Sequence, residues 1–132
     1  MIKKLTEQQI PIIMNSEHFP YSFEQVKKMM INCNYVCWGW FENEQLTAYI
    51  LSNISDKVDI IWIYTFNEHR HHGYATTLIQ QIHSEIKREL VIEVKENNIP
   101  AINFYKHLGF KLINLRKHYY PNKINALVMQ LK

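Results

Sequence analysis

The stretch "VDIIWIYTFNEHRHHGYATTLIQQIHSEI", residues 58–86, contains the change of period that decides the fold. Val58 to Phe66 are mostly apolar or aromatic, the composition of a strand buried on both faces. After Gly73 the apolar residues Ala75, Leu78, Ile79, Ile82 and Ile86 recur at helical spacing, which predicts a helix of about four turns beginning near Tyr74. Between them lies a polar loop carrying His69, Arg70, His71, His72 and one of only three glycines in the chain. A buried strand, a polar loop and a helix make half of a βα unit.

That loop admits more than one chemistry. Zinc requires three or four converging ligands, and His69, His71 and His72 are too closely spaced to converge without others, so no metal is expected. A helix N-terminus behind a glycine is by contrast a ready anion site, because its first N–H groups lack intrahelical partners and the helix dipole adds positive charge. Gly73 would let the main chain approach a phosphate, small Ala75 would avoid a clash, and Arg70 would add charge at the edge. A plain turn with solvated histidines is the alternative, and the loop alone does not separate the two.

Working outward, residues 2–5 read as a short strand. Thr6 with Gln9 and Ser22 with Gln25 are capping boxes opening two helices, the first bent or begun by Pro11. "YVCWGWFE" (35–42) and "LTAYILS" (46–52) are strands joined as a hairpin through "ENEQ". "LVIEV" (90–94) is a strand, and "NNIPAINFYKHLGF" (97–110) a helix with Pro100 in its first turn, Gly109 at its end and an apolar stripe of Ala101, Phe104, Tyr105 and Leu108. "KLINLR" and "NALVMQL" close the chain as strands around "KHYYPNKI". This order gives one domain, residues 1–132, of α/β (α+β) class: a mixed sheet with helices on both faces.

A length of 132 residues suffices for a hydrophobic core without staples, and 47% hydrophobic with 20% charged residues excludes disorder. The formal charge of +3 is scattered and permits an acidic ligand without implying nucleic acid. "RKHYYPNK" is basic and aromatic, but no groove-reading helix accompanies it. Cys33 and Cys37 lack partner pairs and read as reduced structural thiols. "MIKKLTEQQI" precedes no long apolar run, so no membrane anchor is expected and the location by default is cytoplasmic.

Glu93 lies inside an apolar strand, where a carboxylate needs a partner or a function unless alternation turns it to solvent. Tyr105 falls on the buried stripe of the next helix, where packing is the commoner role. "RHHGYA", "VIEVKENNIPAINFYKHLGF", "LRKHYYP" and "ALVMQL" together resemble the GNAT acetyltransferases, and among them the ribosomal-protein-alanine N-acetyltransferases, with R/Q-x-x-G-x-G/A, L-E-V-R-x-x-N-x-x-A-I-x-x-Y-x-x-x-G-F and R-x-x-Y-Y. The resemblance covers residues 58–132, with "HFPYS" a weaker echo of F-P-W-S.

The resemblance implies a GNAT fold: a mixed, mostly antiparallel split sheet of six to seven strands with about four helices, and acetyl-coenzyme A where two strands splay apart. By match, the amides of His71, His72, Gly73, Tyr74, Ala75 and Thr76 beside Arg70 would cradle the pyrophosphate. The backbone of Tyr64, Thr65 and Phe66 would hold the pantetheine arm, and Asn98 is the coenzyme-binding asparagine. Glu93 is expected as the base for an incoming amine, its pKa raised by the apolar strand, and Tyr105 as the acid for the departing thiolate. Amides at the end of the 58–66 strand would stabilise the oxyanion. The expected acceptor is a protein N-terminal alanine, with a small amine or polyamine as the alternative and a silent coenzyme-binding regulator as the rival. Trp38 or Trp40 would line the acceptor cleft if exposed. Nothing in the sequence specifies an oligomeric state.

Four features depart from the family pattern. "TFNE" stands where valine-x-proline is usual, Lys95 where arginine is, and Asn125 where aspartate is. The link "HSEIKRELVIEV" is short and lacks the customary glycine turn.

Overall fold

In the computed structural model, which describes residues 1–132, the chain begins with β1 (Ile2–Lys4) and the short α1 (Ile10–Ile13). Then comes α2 (Phe23–Ile31). Both capping boxes form: Gln9 Oε1 accepts from the Thr6 N–H at 2.7 Å and Gln25 Oε1 from the Ser22 N–H at 2.8 Å. The hairpin of β2 (Tyr35–Glu42) and β3 (Gln45–Ile54) turns at Asn43 and Glu44, both with positive φ, as a tight hairpin turn requires. β4 (Val58–Thr65), α3 (Tyr74–Ile86) and β5 (Leu90–Lys95) form the crossover unit, followed by α4 (Ile99–His107), β6 (Lys111–Tyr120) and β7 (Ile124–Leu131).

The seven strands make one sheet in the order β1-β2-β3-β4-β5-β7-β6. Only β4 and β5 are parallel, as the helical crossover between them demands, and every other pair is antiparallel. Strand alternation splits the core into two layers. Ala48 and Ile50 of β3 join Leu78, Ile79 and Ile82 of α3 and Ile102 and Tyr105 of α4 on one face. Tyr49 and Leu51 join Leu5 and Ile13 on the other, under Met29 and Met30 of α2. Helices therefore cover both faces. No helix is long and apolar enough to cross a membrane.

The strand expected to be buried on both faces is not. In β4 only Val58 and Ile60 are buried, and the rest is half-buried. Its register against β3 runs Ser52 to Ile60 and then Leu51 to Trp62, so Ile61 is an extra residue without an opposite number. A bulge of this kind bends a strand and turns its later side chains over. Ile60 accordingly packs in the first layer and Trp62 against the second. Pairing with β5 stops at the same point: Val58, Asp59 and Ile60 lie opposite Leu90, Val91 and Ile92, and the two strands part beyond them. The sheet opens there as a wedge.

Two further departures have local causes. α4 buries Ile102 and Tyr105, whereas the expected stripe members Ala101, Phe104 and Leu108 are only partly buried at the rim of the first layer. The link after α3 ends without glycine because Lys87 itself takes the left-handed conformation, φ 57°, and donates its N–H to His83.

Candidate active site

α3 begins at the mouth of the wedge, and its N-terminus bears no side-chain cap, so the N–H groups of Tyr74, Ala75 and Thr76 are offered outward. A cleft of about 650 Å³ lies in front of them, lined by Thr65, His69 to Thr76, Phe104 and His107. His71 and Gly73 have φ of 67° and 77°, and successive turned N–H groups of this sort form an anion-binding concavity. A Cβ on Gly73 would meet nothing within 4 Å, so glycine serves the backbone angle there and not the available space. Arg70 donates Nε to the Thr65 carbonyl at 3.1 Å and lies 5.8 Å from the Tyr64 ring.

The predicted cradle residues Arg70, His71, His72, Gly73, Tyr74, Ala75 and Thr76 thus line one cleft together with Thr65. His69, Phe104 and His107 line it too; in the sequence His69 reads as a loop histidine and Phe104 as part of an apolar stripe, and His107 is not singled out. Phe104 and His107 are three apart on α4, one helical face aimed at the cleft, and that spacing was the available signal. His69 Nε2 is sealed from solvent and makes no hydrogen bond, with the Glu68 carboxylate 3.9 Å away. A cavity that offers free helix-terminal amides with the Arg70 guanidinium at its edge fits a phosphate-bearing cofactor. No group of three or more His, Cys, Asp or Glu side chains is placed to hold a metal.

Other predicted positions lie elsewhere. Phe66 donates its N–H to Thr47 on the β3 side, so it is not free for an arm lying in the wedge. Alternation then turns the backbone groups of Thr65 and Ile63 to the open edge and those of Tyr64 toward β3. Asn98 accepts from the Ala101 N–H at 3.2 Å and caps α4, outside the cleft lining. Trp40 stacks on Tyr74 at 5.6 Å, on the α3 side of the hairpin. From the end of β4, Trp62, Tyr64 and Phe66 join Phe41 and Tyr49 in the opposite layer.

That opposite layer is built by the segment between α1 and α2. Ser16 Oγ and Tyr49 Oη are 2.6 Å apart, Trp62 Nε1 donates to the same phenol at 2.9 Å, and the Glu17 N–H donates to Tyr64 Oη at 3.2 Å. Phe19 packs edge-on against Trp62 at 5.5 Å. Burial pushes the Tyr49 phenol up to about 12, its hydrogen bonds opposing the shift. Burial, with smaller contributions from Tyr35 and Tyr119, pushes the Tyr21 phenol up.

Glu93 and Tyr105 occupy opposite sides of the sheet. Ile92 and Val94 point into the layer beneath α3 and α4, so alternation points Glu93 the other way. The expectation of an apolar surrounding for this carboxylate is therefore corrected: its side chain is 31% exposed, and its Oε1 pairs with Arg116 Nη1 at 2.5 Å. Tyr105 lies in the α3–α4 layer, 5% exposed and edge-on to Phe104 and Phe110. Burial raises its pKa and keeps the phenol protonated. Tyr105 and Glu93 both lie outside the lining of the cleft in front of α3.

Asn125, which departs from the family pattern, also has a defined task. Its Oδ1 accepts from the His118 N–H at 2.9 Å and its Nδ2 donates to Glu96 Oε2 at 3.1 Å. An aspartate would lose the donor and face Glu96 with a like charge. Glu96 and Asn125 are thus a matched pair.

Comparisons with known proteins agree with this geometry. A model of the acetyltransferase (GNAT) family matches residues 4–110. An N-alpha-acetyltransferase of Sulfurisphaera tokodaii is 32% identical over 97 residues, 70% of this chain, and the match spans 55% of that relative's length. A [ribosomal protein bS18]-alanine N-acetyltransferase of Haemophilus ducreyi is 26% identical over 143 aligned positions, covering 99% of both chains. In structure, the ribosomal-protein-S18-alanine N-acetyltransferase of Escherichia coli superposes with a TM-score of 0.87 at 22% identity, over 99% of this chain and 92% of that one.

Proposed function

The chain belongs to the acetyltransferase (GNAT) family, and on that premise we propose that it transfers acetyl from acetyl-coenzyme A to the α-amine of a protein N-terminus, with alanine as the first residue. The observation that carries this reading is the two-sided wedge. Glu93 is the first β5 residue beyond the stretch paired with β4 and faces one side of the sheet, while the Tyr105 phenol lies in the layer on the other side, which supports a proton acceptor and a proton donor on opposite sides of a group entering the opening.

Acetyl-coenzyme A, when bound, supplies an activated thioester acyl group. The amides of Tyr74, Ala75 and Thr76, with Arg70, bind its phosphates, and the Thr65 and Ile63 backbone holds its arm at the open edge of β4. Glu93 takes the proton of the attacking amine, directly or through water. An α-amine has a pKa near 8, so a modest base suffices. Tyr105 gives its proton to the departing sulfur, and a free N–H on β4 faces the developing oxyanion. The names of the relatives from Sulfurisphaera and Haemophilus support a peptide α-amine as acceptor.

Charge at the acceptor end favours this reading over a polyamine acceptor, which needs carboxylates free to bind several cations. Glu93 is already paired with Arg116, Glu96 is engaged by Asn125, and Lys95 lies 5.4 Å from the Tyr120 ring. Incubation with acetyl-coenzyme A and peptides beginning with alanine, alongside lysine-bearing peptides and spermidine, read by mass, tests the proposal. One acetyl group on the alanine amine, sharply reduced in Glu93→Gln and Tyr105→Phe, is the expected result. Transfer to spermidine alone would remove the peptide assignment; coenzyme binding without transfer to any amine would make the chain a regulator.

A further inference from the structure

We infer that Arg116 is a positioning residue that fixes the reactive orientation of Glu93, and that the Glu96–Asn125 pair holds Arg116 in place to do so. The inference rests on the proposed role of Glu93 as proton acceptor.

The register brings these residues together from distant parts of the chain. Glu93 lies opposite Val128 and Arg116 opposite Ala126, and alternation along β7 puts Val128 and Ala126 on the same face. The arginine therefore reaches across the width of β7, over two small side chains, to a carboxylate on the next strand but one. It takes Oε1 and leaves Oε2 without a protein hydrogen bond. One oxygen is thereby anchored while the other stays open to an incoming amine.

Arg116 is itself held. Its guanidinium carbon lies 4.3 Å from the Tyr119 ring centroid, a stacking contact that restrains a half-exposed side chain. Tyr119 belongs to the segment in which β6 loses register with β7, between Arg116 and Tyr120, and there His118 takes φ 53°. Asn125 fastens this segment through the His118 N–H and fastens itself to Glu96 at the end of β5. The ring of contacts closes on the strand that carries Glu93. An arginine on a solvent-facing carboxylate is commonly worth little to stability, so orientation is the more informative role for this pair.

The test is steady-state kinetics with acetyl-coenzyme A and an alanine-initiated peptide. Arg116→Gln is expected to lower kcat between about ten- and a hundredfold, the range for a misplaced reacting group, with KM for acetyl-coenzyme A unchanged. Arg116→Lys recovers part of the loss. Asn125→Asp lowers kcat in the same direction by a smaller factor, and adding Glu96→Gln restores it, because the glutamine amide donates back to the new aspartate. If Arg116 acts only through Glu93, the Glu93→Gln/Arg116→Gln double variant is no slower than Glu93→Gln alone. A double variant slower by the full Arg116→Gln factor, or an Arg116→Gln enzyme with the parental kcat, overturns the inference and leaves Glu93 as base. A Glu93→Gln enzyme with the parental rate overturns the base assignment, and this inference with it.

Discussion

The two ends of the wedge, proposed above as the coenzyme end and the acceptor end, are built from different materials. The coenzyme end is main chain: a left-handed glycine, the uncapped first turn of α3 and the free edge of a bulged strand, all within residues 61–76. The acceptor end is side chain: Glu93, Glu96, Arg116, Tyr119 and Asn125, drawn from three strands and tied by hydrogen bonds and stacking. A backbone site needs few particular residues and tolerates the histidines that this chain places there. A side-chain site depends on matched partners, so a change such as Asn125 is accommodated only with a companion such as Glu96.

The division breaks if a variant at one end acts at the other. The largest expected effect is at the acceptor end: Glu93→Gln lowers kcat by about a hundredfold or more, as loss of a general base does, while the acetyl-coenzyme A dissociation constant stays as it was. A parallel loss of coenzyme affinity in calorimetric titration would merge the two ends. Next comes Gly73→Ala. The methyl group has space, so the cost is the left-handed backbone alone, about 1–2 kcal/mol; the free loop relaxes to shed it and coenzyme binding restores it, so affinity is expected to fall by up to roughly tenfold with the chain still folded by circular dichroism.

Asn98→Ala sharpens the same boundary. The asparagine caps α4, so its loss is expected to lower unfolding free energy by about 1 kcal/mol in urea titration while coenzyme affinity is unchanged. The layer beneath the acceptor end answers to pH instead. Tyr49 is raised from 10.0 to about 12 in the folded chain, so its contribution is complete below pH 10 and is lost as pH rises toward 12. Thermal midpoints are expected to fall more steeply across that window in the parent than in Tyr49→Phe. The smallest effect is at Lys87, where glycine would relieve the left-handed strain and raise stability by up to about 1 kcal/mol.

This asymmetry also explains what the sequence discloses. The coenzyme end is contiguous, so the shift from apolar run to glycine to helical period is visible in one window, and Ser22, Gln25, Asn43 and Glu44 mark their caps and turns in the same local way. The bulge at Ile61 is not visible, because an extra residue in a run of apolar residues leaves no break in composition. A run read as a strand buried on both faces therefore gives no sign that its side chains turn over, and the use of Phe66 implied by the resemblance falls on a residue whose N–H is bonded to Thr47. Glu93 stands out as a carboxylate among apolar neighbours, but its partner lies 23 residues further along, and only the β5-β7-β6 register joins them. Asn125 reads in the sequence as a defect in a motif and becomes intelligible only beside Glu96.

The most direct measurement is to follow backbone amide resonances while acetyl-coenzyme A and then an alanine-initiated peptide are added. The first addition is expected to shift the amides of Gly73 to Thr76 and of Ile63 and Thr65, leaving residues 116–120 and 125 in place, and the second to shift the latter group. Coenzyme-induced shifts confined to residues 116–125, with those at the start of α3 unmoved, would contradict the assignment of the cradle.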